Sequence, residues 1–441
     1  MEIGMLVYKI YRALTYGLSP LVHLHVRWRR LRGLEHRCRW LERFGHPSAG
    51  RQFGPLVWFH AVSLGEGMAA IPVIRHCHEL RPDLTILMTT TTVSAFEVIK
   101  DQLPFGVIFQ FAPLDTPVAI DRFLSCWKPN AIIIMESELW PNLIMSASGY
   151  QIPLALLNAR MSTKSFKRWS RPLFLRLAAL LLSKFSLITP LSTTQAIHFQ
   201  LLQAPPAIIN FSGDLKYVVN KFHVSEGIPE SIRDLEAQLL DRKVWIASSL
   251  HRGEEEVILG AHDVVTQLHP KAIVIIVPRH PHHGREVVQQ KLRERGQCVA
   301  LRTQKERITS RTNIYVADTL GELRHLYRLA PIAVIGGSFL PGLAGHNLSE
   351  AAAAGCAIIT GHHVGHFSHM VRTMQQSNPL SVVQVRTEVE LGETVRELLR
   401  SPDALERHQR ASKQVYEALS SCVTTKLWSL LHLHLLSKIL P

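Results

Sequence analysis

The chain has little cysteine, few aromatic residues and no apolar run of membrane-spanning length. Its six cysteines (Cys38, Cys77, Cys126, Cys298, Cys356 and Cys422) stand singly, with no Cys-x-x-Cys pair. Such scattering excludes a disulfide scaffold and a zinc ribbon, and fits a reducing compartment. The signatures GxGxxG and GxxxxGK[ST] are missing, so the dinucleotide and P-loop readings lack their mechanism. No GxSxG elbow marks a hydrolase nucleophile. The histidines at 280, 282 and 283, and at 362, 363 and 366, lack HExxH-type spacing, and among 24 histidines chance grouping is expected. No metal site and no cofactor is read from them. Low-complexity tracts and internal repeats are also missing.

What remains is a globular composition, 46% hydrophobic and 19% charged, in 441 residues, a length that suggests two domains. The net charge of +14 favours an anionic partner. The excess is concentrated at the start. Residues 1–52 hold Lys9, Arg12, Arg27, Arg29, Arg30, Arg32, Arg37, Arg39, Arg43 and Arg51 against Glu2, Glu35 and Glu42. A charge-free stretch from Ala13 to Val26 runs directly into Arg27-Trp28-Arg29-Arg30. A spanning helix needs about 20 apolar residues; this stretch is shorter and contains Pro20 and two histidines. Two readings stay open: a marginal single-pass anchor, or an in-plane element with a basic flank facing anionic lipid. A nucleic-acid partner is disfavoured, because the basic cluster adjoins an apolar run and no stacking aromatic pattern is visible.

Beyond residue 53 the chain alternates short apolar runs with helical patterns. Strands are expected at 56–60, 85–89, 106–109, 131–135 and 153–157, then at 243–247, 271–277, 312–316, 332–335 and 357–360. Runs apolar at every position suit parallel strands covered on both faces. Each half therefore reads as a doubly wound α/β unit. The segment 202–224 reads as the linker and 424–440 as an apolar-faced helix. The expected organisation is a membrane-associated segment 1–45, α/β domains 46–212 and 213–423, and a C-terminal helix 424–441.

In open α/β sheets, ligands bind beyond the carboxyl ends of the strands. After the first strand come Ser63, a candidate N-cap, and Glu66 between Gly65 and Gly67. Glu66 reads equally as a cleft acid or as helix-dipole complementation. After the fourth strand come Glu136 and Glu138 beside Trp140 and Pro141. Apolar neighbours suit a carboxyl to proton transfer, and the residues alone do not choose between the two acids. The second half reads as an anion site. Its candidates are Lys216, Ser248-Ser249-Leu250-His251, Arg279 after the longest strand, and the glycine-rich run from Gly336-Gly337-Ser338 to Asn347-Leu348-Ser349-Glu350. That run enters a helix, whose first N–H groups suit a phosphate.

The ordered set of motifs resembles the Kdo (3-deoxy-D-manno-octulosonic acid) transferases of lipopolysaccharide assembly. It runs from Glu42-Arg43-Phe44-Gly45 and His60-Ala61-Val62-Ser63-Leu64-Gly65-Glu66 through Glu138-Leu139-Trp140-Pro141-Asn142, Asn158-Ala159-Arg160 and Gly213-Asp214-Leu215-Lys216. It closes with Pro278-Arg279-His280-Pro281, Gly321-Glu322-Leu323 and His346-Asn347-Leu348-Ser349-Glu350. The resemblance implies the two-domain glycosyltransferase B fold, an N-terminal domain for a lipid A precursor and a C-terminal domain for CMP-Kdo. It implies Glu66 as general base and Glu138 and Lys216 as transition-state stabilisers. Pro278, Arg279, Gly321, Glu322, Leu323, Asn347, Leu348, Ser349 and Glu350 would contact CMP. It also implies residence at a bacterial inner membrane, with catalytic domains on its cytoplasmic side. The sequence departs from the family pattern at Asp214, Val218, Ser349 and His366. Another sugar-nucleotide enzyme on the same fold, an epimerase or hydrolase, and a basic binding module are the alternatives.

Overall fold

The computed structural model describes residues 2–136, 138–218, 228–287 and 298–439. The chain divides into two compact units, one of residues 1–222 with 420–441 and the other of residues 223–419. Ser137 and the end of the expected linker, from 219 to 224, lie outside the described residues.

The first unit is built on six parallel strands: β1 (Leu56–His60), β2 (Thr85–Thr90), β3 (Ile108–Phe111), β4 (Ala131–Met135), β5 (Leu154–Ala159) and β6 (Leu187–Pro190). Their spatial order is β3-β2-β1-β4-β5-β6. β1, β2, β4, β5 and β6 are buried along their whole length, because helices cover both faces of the sheet. Trp58 of β1 packs its ring 4.4 Å from Phe123 on the helix Pro117–Trp127. On the other face, Val57 and Phe59 share a cluster with Val423, Leu427, Leu431 and Leu435, spaced four apart on the helix Pro402–His434 and the turn after it. That spacing lays one stripe of the helix on the sheet.

Helix α1 (Glu2–Gly17) belongs to this unit's packing. Gly4 and Tyr8 are buried, and a Cβ on Gly4 would fall 2.4 Å from the carbonyl oxygen of Arg176 in the helix Pro172–Leu182. Only glycine allows that approach. Helix α2 (Ser19–Leu31) follows with Pro20 in its first turn, where the missing N–H costs nothing. Pro20 thus starts a second helix. No helix among the described residues is long and apolar enough to cross a membrane.

The second unit has seven parallel strands: β7 (Val244–Leu250), β8 (Ile273–Pro278), β9 (Val299–Leu301), β10 (Ile314–Val316), β11 (Ile332–Ile335), β12 (Ala357–Thr360) and β13 (Val383–Gln384). Their order is β13-β12-β11-β7-β8-β10-β9. Two parallel-sheet α/β units are therefore present, as the alternation of apolar runs implies. The pattern missed β6, β9 and β13. All three stand at sheet edges, and none exceeds four residues. It also set β3 two residues early.

Gly45 tests the packing of the segment before β1. Its φ is +80°, and a Cβ there would meet the carbonyl oxygen of Ala119 at 2.2 Å. Gly45→Ala is expected to cost about 2–4 kcal/mol, combining left-handed strain with a backbone clash. Gly50 has nothing within 4 Å of its would-be Cβ, so Gly50→Ala serves as the control. Thermal melting should fall for the first variant and hold for the second.

Candidate active site

The strand order of the first unit reverses beside β1, which lies between β2 and β4. The crevice at such a switch point is where ligands bind. The residues that follow β1, β4 and β5 converge there.

After β1, Ser63 takes extended backbone (φ −109°, ψ 166°) and caps α3 (Leu64–Leu80), accepting the Glu66 N–H at 3.3 Å. In return the Glu66 carboxylate accepts the Val62 N–H at 2.7 Å and the Ser63 hydroxyl at 3.0 Å. This reciprocal arrangement closely follows a capping box. It also fixes the carboxylate at the strand end, only 7% exposed. Burial pushes its pKa up to about 7; Glu136 and Glu138 add to the rise, and the bonds from Val62 and Ser63 oppose it. The two readings of Glu66 are thus one structure, in which a cap holds an acid whose proton affinity is set for exchange near neutrality.

After β4, Glu136 sits at φ +58°, left-handed for a residue with a side chain. The turn is held by its N–H to the Leu157 carbonyl at 2.8 Å and by Arg160, whose Nε lies 2.7 Å from the Glu136 carboxylate. Glu138 has a different partner, the indole N–H of Trp140 at 2.6 Å. Burial raises the Glu138 pKa, the indole bond lowers it, and Glu136 raises it. The structure therefore separates two acids that the sequence left equivalent. Glu136 is neutralised by a guanidinium, whereas Glu138 is held by a neutral donor. Beneath them His60 is wholly buried, its Nδ1 2.9 Å from the Thr89 hydroxyl and its ring 4.5 Å from that of Trp140. Burial drives its pKa down to about 3, with Arg43 assisting, so it stays neutral.

Near the end of β5, Asn158 is also left-handed (φ +53°), and its Oδ1 accepts the Leu215 N–H at 3.3 Å. This bond ties the single turn Leu215–Tyr217 to the same strand end. The backbone of Lys216 is in that turn; its side chain lies outside the described residues, as does that of His366.

In the second unit, the predicted residues follow β7, β8, β10 and β11. Pro278 ends β8, and Arg279 donates its N–H to the Leu250 carbonyl at 2.8 Å while its side chain is exposed. The start of the glycine-rich loop after β11 is organised by a carboxylate from elsewhere in the unit. The N–H groups of Gly337, Ser338 and Phe339 are taken by the buried carboxylate of Glu254 at 2.7, 2.9 and 2.9 Å. A protein carboxylate thus occupies the amides at the start of the run; the helix start read as a phosphate site lies further on, at Ser349. Asn347 caps the next turn through the Ser349 N–H at 3.1 Å, Leu348 and Ser349 are buried, and burial raises the pKa of Glu350 against the pull of Arg324. Gly321 is left-handed at φ +85°. Glu322 is committed to Arg302, with Nε and an Nη at 2.7 and 2.6 Å, which lowers its pKa; Leu323 opens a short helix. Sequence reasoning missed Arg160 as the partner of Glu136 and Glu254 as the occupant of the loop. Both pairs join residues far apart in the chain, so no local spacing announces them.

The first unit thus carries three acids at the ends of β1 and β4, and the second a loop-rich strand end with Arg279 exposed; each is an α/β unit built on a parallel sheet. A family profile described as 3-deoxy-D-manno-octulosonic-acid transferase (kdotransferase) matches residues 38–219. The chain is 74% identical over 436 residues to the Arabidopsis thaliana protein named "Probable 3-deoxy-D-manno-octulosonic acid transferase, mitochondrial", covering 99% of this chain and 97% of that one. It is 31% identical to a 3-deoxy-D-manno-octulosonic acid transferase of Haemophilus influenzae, covering 93% and 94% of the two chains. The chain belongs to the Kdo transferase family. Among solved structures, the UDP-GlcNAc 2-epimerase of Neisseria meningitidis aligns with a TM-score of 0.58 at 13% identity, covering 86% of this chain and 100% of that one. That likeness shows the fold alone. The expected bacterial inner-membrane location is corrected by the plant relative, whose name places that protein in mitochondria.

The raised pKa of Glu66 has a consequence for stability. Between its ordinary value of 4.5 and about 7, the folded chain holds a proton that the unfolded chain has released. The stability of the buried neutral acid is thus fully present below about 4.5 and lost as pH rises to about 7. Glu66→Gln keeps a capping acceptor but cannot ionise. It should melt higher than wild type at pH 8, by about 1–3 kcal/mol, and equally at pH 4.5.

Proposed function

We propose that this chain transfers Kdo from CMP-Kdo to a phosphorylated, acylated disaccharide, a tetraacyldisaccharide bisphosphate, by a single inverting displacement. The observation that carries the reading is Glu66, a carboxylate at the switch point of the first unit with a pKa of about 7. In this reading the first unit holds the acceptor. Its hydroxyl oxygen attacks the anomeric carbon of Kdo as Glu66 removes the hydroxyl proton. The bond from that carbon to the phosphate oxygen breaks, and its electron pair leaves with CMP. Metal assistance is not required, because CMP is already a good leaving group. Glu138 and Lys216 take the transition-state roles that the family resemblance implies.

The second unit holds the donor in this reading. Arg279, exposed at the end of β8, supplies positive charge for the phosphate, as preorganised cations do at developing negative charge. Pro278, Gly321, Leu323 and the segment Asn347–Glu350 surround the nucleotide. Glu322 is already bound to Arg302 and acts by shaping its loop.

Glu66→Gln should still bind CMP while transfer falls by about a hundredfold or more. Products from CMP-Kdo and tetraacylated precursor, read by mass spectrometry, decide the matter. Near-normal turnover in this variant removes Glu66 as the base.

The membrane partner follows from α1 and α2. One face of α1 is buried on the helix Pro172–Leu182, while Leu6, Ile10 and Leu14 of α1 and Leu21, Trp28 and Leu31 of α2 are 46–82% exposed. Arg27, Arg29, Arg30 and Arg32 flank this stripe. Such a face suits an element lying in the headgroup plane, each arginine contributing about 1 kcal/mol toward anionic lipid. Leu14→Glu with Leu21→Glu should reduce sedimentation with anionic vesicles at least tenfold and leave the melting temperature unchanged. Undiminished sedimentation would exclude this face.

A further inference from the structure

His251 directly follows β7, and His346 stands in the glycine-rich loop after β11. Their Nε2 atoms are 2.8 Å apart, with ring planes at 9° and centroids at 5.0 Å. The fold enforces this approach from both sides. The Glu254 carboxylate that gathers Gly337, Ser338 and Phe339 also accepts the His251 N–H at 2.8 Å, so one buried acid joins the two strand ends. The His346 ring lies against Gly337, where a Cβ would fall 2.5 Å from its Cδ2. The Gly345 N–H to the Gly337 carbonyl, at 2.7 Å, closes the loop that carries it.

Two ring nitrogens at this distance need one hydrogen between them. One imidazole is then the donor, and the accepting ring carries its own hydrogen on Nδ1. A single added proton turns the pair into a cation with an N–H on both Nδ1 atoms. The charged and titratable groups on the elements packed here are Arg252, Glu254 and Glu255 after β7, Arg279 after β8, and His362 and His363 on the loop after β12. Glu254 is saturated by backbone N–H groups, and Glu255 accepts the Gly253 N–H at 2.7 Å. Burial pushes His346 down to about 4, and His251 and Arg279 push it further the same way. His346 is thus held toward its neutral form until an anion arrives to favour the proton.

We propose that His251 and His346 form a phosphate contact of the nucleotide donor, taking up a proton as the phosphate binds. This rests on the CMP-Kdo reading and adds to it a pair of residues that no family motif role covered. As the bond from the anomeric carbon to the phosphate oxygen breaks, its electron pair stays on the phosphate. The cationic pair and Arg279 hydrogen-bond to the charge that builds there. No bond forms to either imidazole, and the proton stays with the pair until CMP leaves.

The test is calorimetric titration of the full-length chain in detergent with CMP, between pH 6 and 8, in buffers of different ionisation enthalpy. CMP itself changes protonation in this range, so wild type is compared with His251→Gln and His346→Gln. Wild type should take up more proton per CMP bound than either variant. Each variant should bind CMP about tenfold more weakly at pH 6.5, the loss expected for a hydrogen bond to a charged group. Histidine-selective 15N spectra of wild type give a second readout that needs no variant; CMP should shift both imidazoles toward the protonated form. Folded variants with wild-type affinity and proton uptake, or imidazole signals indifferent to CMP, overturn the pair. Wild type that binds no CMP overturns the donor reading and the pair together.

Discussion

The ion pair between Glu136 and Arg160 lets the first unit keep three acids together at the ends of two adjacent strands. Glu136 and Glu138 are near enough to raise the proton affinity of Glu66, and Glu136 that of Glu138, an arrangement that burial makes costly. Arg160 cancels one of the three charges from 2.7 Å away, across a turn that also forces Glu136 into a left-handed conformation. Backbone strain of this kind survives only where its surroundings over-determine it. Here the Leu157 carbonyl and the guanidinium both hold it.

The second unit solves a related problem with the opposite sign. Its glycine-rich loop concentrates backbone N–H groups, a concavity that attracts any anion. Glu254, at the start of the helix that follows β7, supplies that anion permanently. The loop is thereby fixed as a bracket that holds the His346 ring against that of His251. Buried hydrogen-bonded carboxylates of this sort position their neighbours because moving either strand end would leave an unpaired charge inside the protein.

Much of the architecture was legible because parallel strands buried on both faces leave long apolar runs; β1, β4, β7, β8 and β11 could hardly be read otherwise. β6, β9 and β13 escaped because an edge strand of two to four residues is too short to carry a period. For the site, Glu66 and Glu138 were reachable from position alone, since each follows a strand at the crevice. Their difference from Glu136 was not, because it depends on Arg160, 24 residues further on and brought near only by the pairing of β4 with β5. The same holds for Glu254, which is more than 80 residues from the amides it binds.

The N-terminal segment shows how one stretch of sequence can answer two physical demands. Read as a line of residues, its apolar run is too short for a bilayer and too exposed to water for a core. Helix geometry divides those residues by face. Gly4 and Tyr8 go inward, the first so small that α1 meets the carbonyl of Arg176 directly. Leu6, Ile10 and Leu14 go outward, and α2 continues the stripe as far as Leu31, among the arginines. Under the proposed reaction, whose acceptor carries acyl chains, the outward apolar stripe on the first unit is the proposed meeting place with a lipid surface. Because the inner face of α1 is anchored by close packing, the stripe and the Glu66 crevice belong to one compact unit, and a lipid surface met by the one would lie in fixed register with the other.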